Sequence, residues 1–120
     1  MPKYVDGFVI PVPEGNLETY RKIAKKAAKV WMEYGALSYV ECVGDDLEHE
    51  KMTPFPKAAK AKPGELVIFS WISYKSRADR DKINAKVMKD PRIEAMCEKD
   101  QMPFDIKRMV YGGFKVIVEA

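Results

Sequence analysis

Glu65-Leu66-Val67-Ile68-Phe69-Ser70-Trp71-Ile72-Ser73-Tyr74 is the stretch that decides the fold. In an extended chain, successive side chains point to opposite sides, so Leu66, Ile68 and Ile72 share one face and Val67, Phe69 and Trp71 the other. A strand apolar on both faces has to run through the middle of a sheet, with something covering each side.

The segments on either side supply the rest of the sheet. Upstream, Tyr4 to Val12 is β-branched and aromatic and stops at Pro11, Pro13 and Glu14-Gly15, as a strand would. A helix follows, with Asn16 as its expected N-cap, Glu18 in the first turn and Gly35 just past the end. Between them Leu17, Tyr20, Ala24, Ala27, Trp31 and Tyr34 recur at spacings of three and four, which draws one apolar helix face. Leu37 to Val43 alternates again, with Val40 and Cys42 on one side, and is the second strand. Residues 45–64, punctuated by Pro54, Pro56 and Pro63, show no period and are expected to form a lid, an arm or a mobile loop.

Downstream, Ser76-Arg77-Ala78-Asp79 has the spacing of a capping box and opens a helix that runs to about Lys89. Its apolar stripe is thin, so Arg80 and Asn84 are candidates to turn inward. Asp90-Pro91 restarts a short helix carrying Ile93 and Met96. After an irregular stretch, Arg108 to Val118 reads as the last strand. The order is β-α-β-β-α-(α)-β, the α+β ferredoxin-like pattern, with the first and third strands central and the helices on one face only. Residues 1–120 are expected to form one such domain. The sheet face away from the helices would be an apolar patch in a monomer, which predicts a symmetric homodimer.

Charge and motifs narrow the function by exclusion. The net charge is +3, with 21 basic residues interleaved among 18 acidic ones. Lys25, Lys26 and Lys29 fit a solvated helix face, and no nucleic-acid partner is expected. No apolar run approaches the ~18 residues of a membrane span, and Met1-Pro2-Lys3-Tyr4 leads straight into a strand, so a cytoplasmic location without membrane partner is expected. Cys42 and Cys97 form no CxxC pair, and His49 stands alone between Glu48 and Glu50, so no metal site is expected. Cys42 is expected to be buried beside Val40, and Cys97 to be the more exposed thiol. Gly7, Gly112 and Gly113 lie within strands and open no helix, which excludes a dinucleotide fingerprint; no cofactor is expected.

Those glycines suggest a register for the antiparallel first and last strands. Asp6-Gly7-Phe8 and Gly113-Phe114-Lys115 are complementary in opposite directions, so Asp6 is expected opposite Lys115, Gly7 opposite Phe114 and Phe8 opposite Gly113. A carboxylate on a central strand is unusual, and Asp6 and Glu41 are the candidate proton carriers. Trp71 and Tyr39 as walls, with Tyr111 and Asn84, are the candidate ligand-binding residues for a small organic molecule in an aromatic pocket. The competing reading is a dimeric protein-interaction module without catalysis.

Several segments taken together resemble a known family over nearly the whole chain. They are Tyr4-Val5-Asp6-Gly7-Phe8-Val9, Lys29-Val30-Trp31, Glu41-Cys42-Val43-Gly44-Asp45-Asp46, Phe69-Ser70-Trp71, Tyr74-Lys75-Ser76-Arg77, Asn84 to Arg92, Met102-Pro103-Phe104-Asp105 and Tyr111-Gly112-Gly113-Phe114. They are similar to the YbaA-like family, domain of unknown function 1428. The resemblance implies a dimeric α/β barrel, the architecture of cofactor-independent monooxygenases, muconolactone isomerases and haem-degrading enzymes, and it implies no catalytic residue, because the family has no established activity.

Overall fold

A computed structural model describes residues 3–98 and 102–120. Its strands are β1 (Tyr4–Pro13), β2 (Ser38–Val43), β3 (Glu65–Tyr74) and β4 (Val110–Lys115), in the antiparallel order β2-β3-β1-β4. The helices are α1 (Leu17–Glu33), α2 (Phe55–Ala58), α3 (Arg77–Met88) and α4 (Pro91–Met96). The two-sided β3 is central, as its pattern demands, and β1 is central beside it. None of the described helices is long and apolar enough to cross a membrane.

Local chemistry explains where most helices begin and end. The Ser76 hydroxyl accepts from the Asp79 N–H at 3.1 Å and starts α3, and the Asp90 carboxylate accepts from the Arg92 N–H at 2.8 Å with Pro91 in the first turn of α4. Gly35, at φ +111°, ends α1 in a conformation that a side chain would disfavour. Asn16 departs from expectation. It precedes α1, but its side chain makes no cap and instead donates to the Pro103 carbonyl at 2.9 Å, tying the start of α1 to the segment before β4.

Register assigns the two faces. Asp6, Phe8, Ile10 and Val12 of β1 lie beside Ile72, Ser70, Ile68 and Leu66 of β3, and Ile72, Ser70 and Ile68 lie beside Tyr39, Glu41 and Val43 of β2. This row faces α1 and α3, where Ile10, Val12, Ile68, Ile72, Val30 and Val87 form the buried core. The other row, with Phe69, Trp71, Val110 and Phe114, is open; Phe69 is 43% and Phe114 63% exposed.

Four expectations are corrected. The register of β1 on β4 is displaced by two residues: Asp6 pairs with Gly113, Phe8 with Tyr111 and Tyr4 with Lys115. A shift of two keeps every side chain on its face, so Lys115 remains on the side of Asp6 but two pairs away, opposite Tyr4, and the basic group beside Asp6 is Arg80 at 3.6 Å. The ring of Phe114 still covers Gly7, whose Cβ would stand 3.4 Å from it, but Phe8 stacks on Tyr111, with centroids 5.0 Å apart.

The last strand is shorter than expected. Residues 106–108 make a 3-10 turn held by Arg108 on Glu65, and pairing runs out where β1 begins, so Ile117 and Val118 are 87% and 83% exposed. Residues 45–64 are not all irregular, because α2 seats Phe55 against Phe69 of the open face, with centroids 5.9 Å apart. Cys42 is exposed rather than buried: it shares the open face with Val40 on an edge strand, the face that the described helices α1 and α3 do not cover.

Candidate functional site

The core between sheet and helices is not filled. Below Ala24 and Ala27 of α1, whose methyl groups leave room, lies a cavity of about 460 Å³, within the range of small-molecule sites. Phe8, Ile10 and Ile72 form its floor, and Met88, Met96, Phe104, Ile106 and Met109 form its outer wall. Flexible methionine side chains make such a wall adaptable in shape. Two polar groups of residues interrupt this apolar lining, one on each side of β3.

The first is built on Glu41 of the edge strand. Its carboxylate oxygens accept from the Tyr20 hydroxyl at 2.7 Å and from the Tyr39 hydroxyl at 2.9 Å, and Ser70 stands opposite in the β3 register. Burial pushes the Glu41 carboxyl above the usual range, and the hydroxyls of Tyr20, Tyr39 and Ser70 pull it back only in part. The same burial, followed by the negative charge of Glu41, raises the pKa of Tyr20 and of Tyr39. The result is an acid held next to an apolar space and oriented by two phenols.

The second is built on Asp6 of central β1, which is 1% exposed. Its Oδ2 accepts from Asn84 Nδ2 at 3.3 Å, and Asn84 Oδ1 in turn accepts from Trp31 Nε1 at 3.0 Å and from the Tyr74 hydroxyl at 3.2 Å. Tyr74 and Tyr111 have raised pKa values, through burial first and the Asp6 charge second. Arg80 closes the group: its Nη2 donates to the Tyr4 hydroxyl at 3.1 Å and its guanidinium lies 4.8 Å above the Tyr4 ring. From standard strand spacings, Asp6 and Glu41 are about 12 Å apart at Cα, too far for direct contact and close enough to hold two ends of one molecule.

The structure therefore brings Asp6, Glu41, Tyr39, Asn84 and Tyr111 to one cavity. Trp71 does not join them. It occupies the open face, 5.7 Å centroid to centroid from Phe69, and the indole on the cavity is Trp31. Tyr20 and the methionine wall were not singled out from sequence as site residues. The signal for Tyr20 was present in its spacing to Ala24 and Ala27, a large polar ring followed on one helix face by two small residues. His49 is exposed in the loop, where its Nδ1 accepts from the Lys51 and Met52 N–H groups.

The profile of the family described as "Protein of unknown function (DUF1428)" matches residues 3–106. The uncharacterized protein YbaA of Escherichia coli (strain K12) is 50% identical over 117 residues, 98% of each chain, and YbaA of Shigella flexneri matches equally. Among solved structures, a dimeric ferredoxin-like protein from an uncultured marine organism superimposes with a TM-score of 0.64 at 14% identity, covering 100% of both chains. A NIPSNAP family protein of unknown function from Agrobacterium tumefaciens gives a TM-score of 0.58 at 15% identity, covering 96% of this chain and 88% of that one. At such identities the likeness concerns the fold.

Proposed function

The chain belongs to the DUF1428 family of proteins of unknown function, and from its own cavity we propose that it binds a small, largely apolar organic molecule between sheet and helices, with Glu41 as the group equipped to exchange a proton with it. The observation that carries this reading is the combination of about 460 Å³ of unfilled core with an inward-facing carboxyl whose pKa is raised by burial. A cavity of this size serving no ligand would be a loss of packing without return. Asp6, Asn84 and Tyr111 anchor the end away from Glu41.

The working unit is a homodimer joined through the open sheet face. Phe55, Phe69, Val110 and Phe114 are all about half exposed there, more apolar surface than a monomer ordinarily leaves to water. The fold neighbour from the marine organism is itself described as dimeric, which supports a dimer without saying which face it uses. Cys42 and Cys97 are both free and exposed, which suits the reducing conditions of a cytoplasmic setting.

Native mass spectrometry of protein freshly purified from its own cells tests the ligand. A retained organic molecule that is lost from the cavity-filling Ala27→Phe variant is the expected result. Wild-type protein that carries no small molecule, and binds none from an extract of the same cells, would refute it and leave the interaction-module reading.

A further inference from the structure

Lys26 and Lys29 belong to the basic face of α1, which the cavity reading leaves unused. With Ile23 they make a row at spacings of three, so the three side chains are neighbours on the helix surface. Arg92, Ala95 and Met96 of α4 lie across from them, and a groove of about 510 Å³ runs between the two helices. Ile23 and Met96 line this groove and the cavity as well, so the two spaces meet at these two half-buried side chains. Met96, unbranched and adaptable, can give way there.

Charge is divided between the two spaces. The cavity presents the carboxyls of Asp6 and Glu41 and, among the described residues of its lining, no lysine or arginine. Arg80 stands 3.6 Å from Asp6 but is not on that lining. An anionic group drawn inside would leave water with no cation to meet it. The groove is the reverse: its described lining has three cations and no carboxylate. Arg92 is already held by Glu33 at 2.7 Å and by Asp90 at 2.9 Å. Lys26 and Lys29 are exposed and form no ion pair among the described residues. Two uncommitted ammonium groups therefore flank the place where the apolar space reaches the surface.

We propose that the ligand is an anionic amphiphile, with its apolar body in the cavity and a carboxylate or phosphate head group in the α1–α4 groove against Lys26 and Lys29. The inference rests on the cavity reading above and narrows it to a chemical class. The head group stays in water beside the lysines, so it avoids the cost of burial, and its attraction weakens as salt is added. A cationic head would meet three like charges in the same groove.

Calorimetric titration of the unmodified protein with four decyl probes below their micelle concentrations tests the assignment: decan-1-ol, decanoate, decyl phosphate and decylamine. At low ionic strength at least one of the two anions should bind about fivefold or more tightly than decan-1-ol, the size of effect expected of two exposed charge contacts, and the tighter anion identifies the head group. In the double variant Lys26→Gln/Lys29→Gln that preference should fall to within about twofold while decan-1-ol binds as before. Lys22→Gln/Lys25→Gln removes the same charge from the same helix at residues on neither lining, and should keep most of the preference. All four substitutions fall on exposed residues and leave the core intact. Decan-1-ol binding as tightly as both anions, or decylamine binding more tightly than either, would overturn the head-group assignment and leave the cavity reading standing. An equal loss in the two double variants would assign the preference to the general field of α1 and overturn the groove. Decyl probes that bind Ala27→Phe as well as wild type would place the chain outside the cavity, and binding of none of the four to wild type would overturn the cavity reading too.

Discussion

Gly113→Ala is a sharp test of how the Asp6 end of the cavity is built. A Cβ at Gly113 would stand 2.6 Å from Arg80 Nη2, 2.6 Å from the Tyr4 hydroxyl and 2.8 Å from Tyr4 Cε2, distances that real Cβ atoms do not tolerate. The glycine lies opposite Asp6 in the β1–β4 register, so the paired Tyr4 ring and Arg80 guanidinium pack directly over bare backbone beside the carboxylate. Its φ is not in the left-handed region, so replacing Gly should by itself stabilise the chain by about 0.4–1 kcal/mol through the unfolded state. Displacing a tyrosine ring and a guanidinium that hold each other costs about 1–3 kcal/mol. The net expectation is a loss of about 1–2 kcal/mol, or a fall in Tm of roughly 4–8 °C for a chain of this size. Gly15, with nothing within 4 Å of the Cβ position, is the control, and Gly15→Ala should melt at or slightly above wild type. Thermal unfolding of the three proteins decides the matter. A Gly113→Ala protein as stable as Gly15→Ala would show that Tyr4 and Arg80 do not pack over that backbone.

Three further outcomes follow from other parts of the molecule. Phe69→Arg, on the open face and 43% exposed in the single chain, should keep the far-ultraviolet circular dichroism of the wild type while sedimentation at micromolar concentration shifts from dimer to monomer; a dimer that survives places the interface elsewhere. Arg108 holds the Glu65 carboxyl down to about 2, so the pair contributes stability above pH ~4.5 that is lost as pH falls towards 2, and Arg108→Met should flatten that acid limb in urea titrations. Glu41 carries the opposite sign: its folded pKa is raised, so its contribution is full at low pH and is lost as pH rises through the folded value. Glu41→Gln should therefore gain stability relative to wild type as pH rises above ~4.5, and an unchanged difference across that window would mean that Glu41 is not buried as described.

What could be read from the sequence was local or periodic. The two-sided pattern of β3, the single face of α1 and the caps at Ser76 and Asp90 depend on neighbours within a few residues, and the structure has them all. The β1–β4 register shows where such reading stops. Pleat parity was correct, because the apolar rows fix which face each residue takes, but registers two residues apart satisfy parity equally. The observed register puts Gly113, not Lys115, opposite Asp6, under the Tyr4 ring and the Arg80 guanidinium from α3, and sets Tyr111 against Phe8; none of these contacts is visible in the paired segments alone. The placing of Trp71 meets a related limit. A strand apolar on both faces does not itself say which face the helices cover. The discriminating residue was Ser70, a hydroxyl between Ile68 and Ile72 with Glu41 as its neighbour on β2, which marks the helix-covered row as the one that carries polar chemistry.

The small residues of α1 carry the last prediction. Ala24 and Ala27 face a sheet whose strands offer Phe8, Ile10 and Ile72, yet the space between them is open, and a chain selected for stability alone would close it with a larger side chain. Each fully buried methylene contributes about 0.8 kcal/mol, so Ala27→Leu, which adds three carbons against an apolar wall, should raise stability by up to about 2 kcal/mol, with little change in helix propensity. The same three carbons occupy volume that a ligand would need, so the variant should bind apolar probes at least about tenfold more weakly than wild type. Stability and binding moving in opposite directions is the signature of a cavity kept for a ligand. If Ala27→Leu instead lowers the unfolding free energy, the wall at α1 is already close-packed, and the room assigned to a ligand is not there.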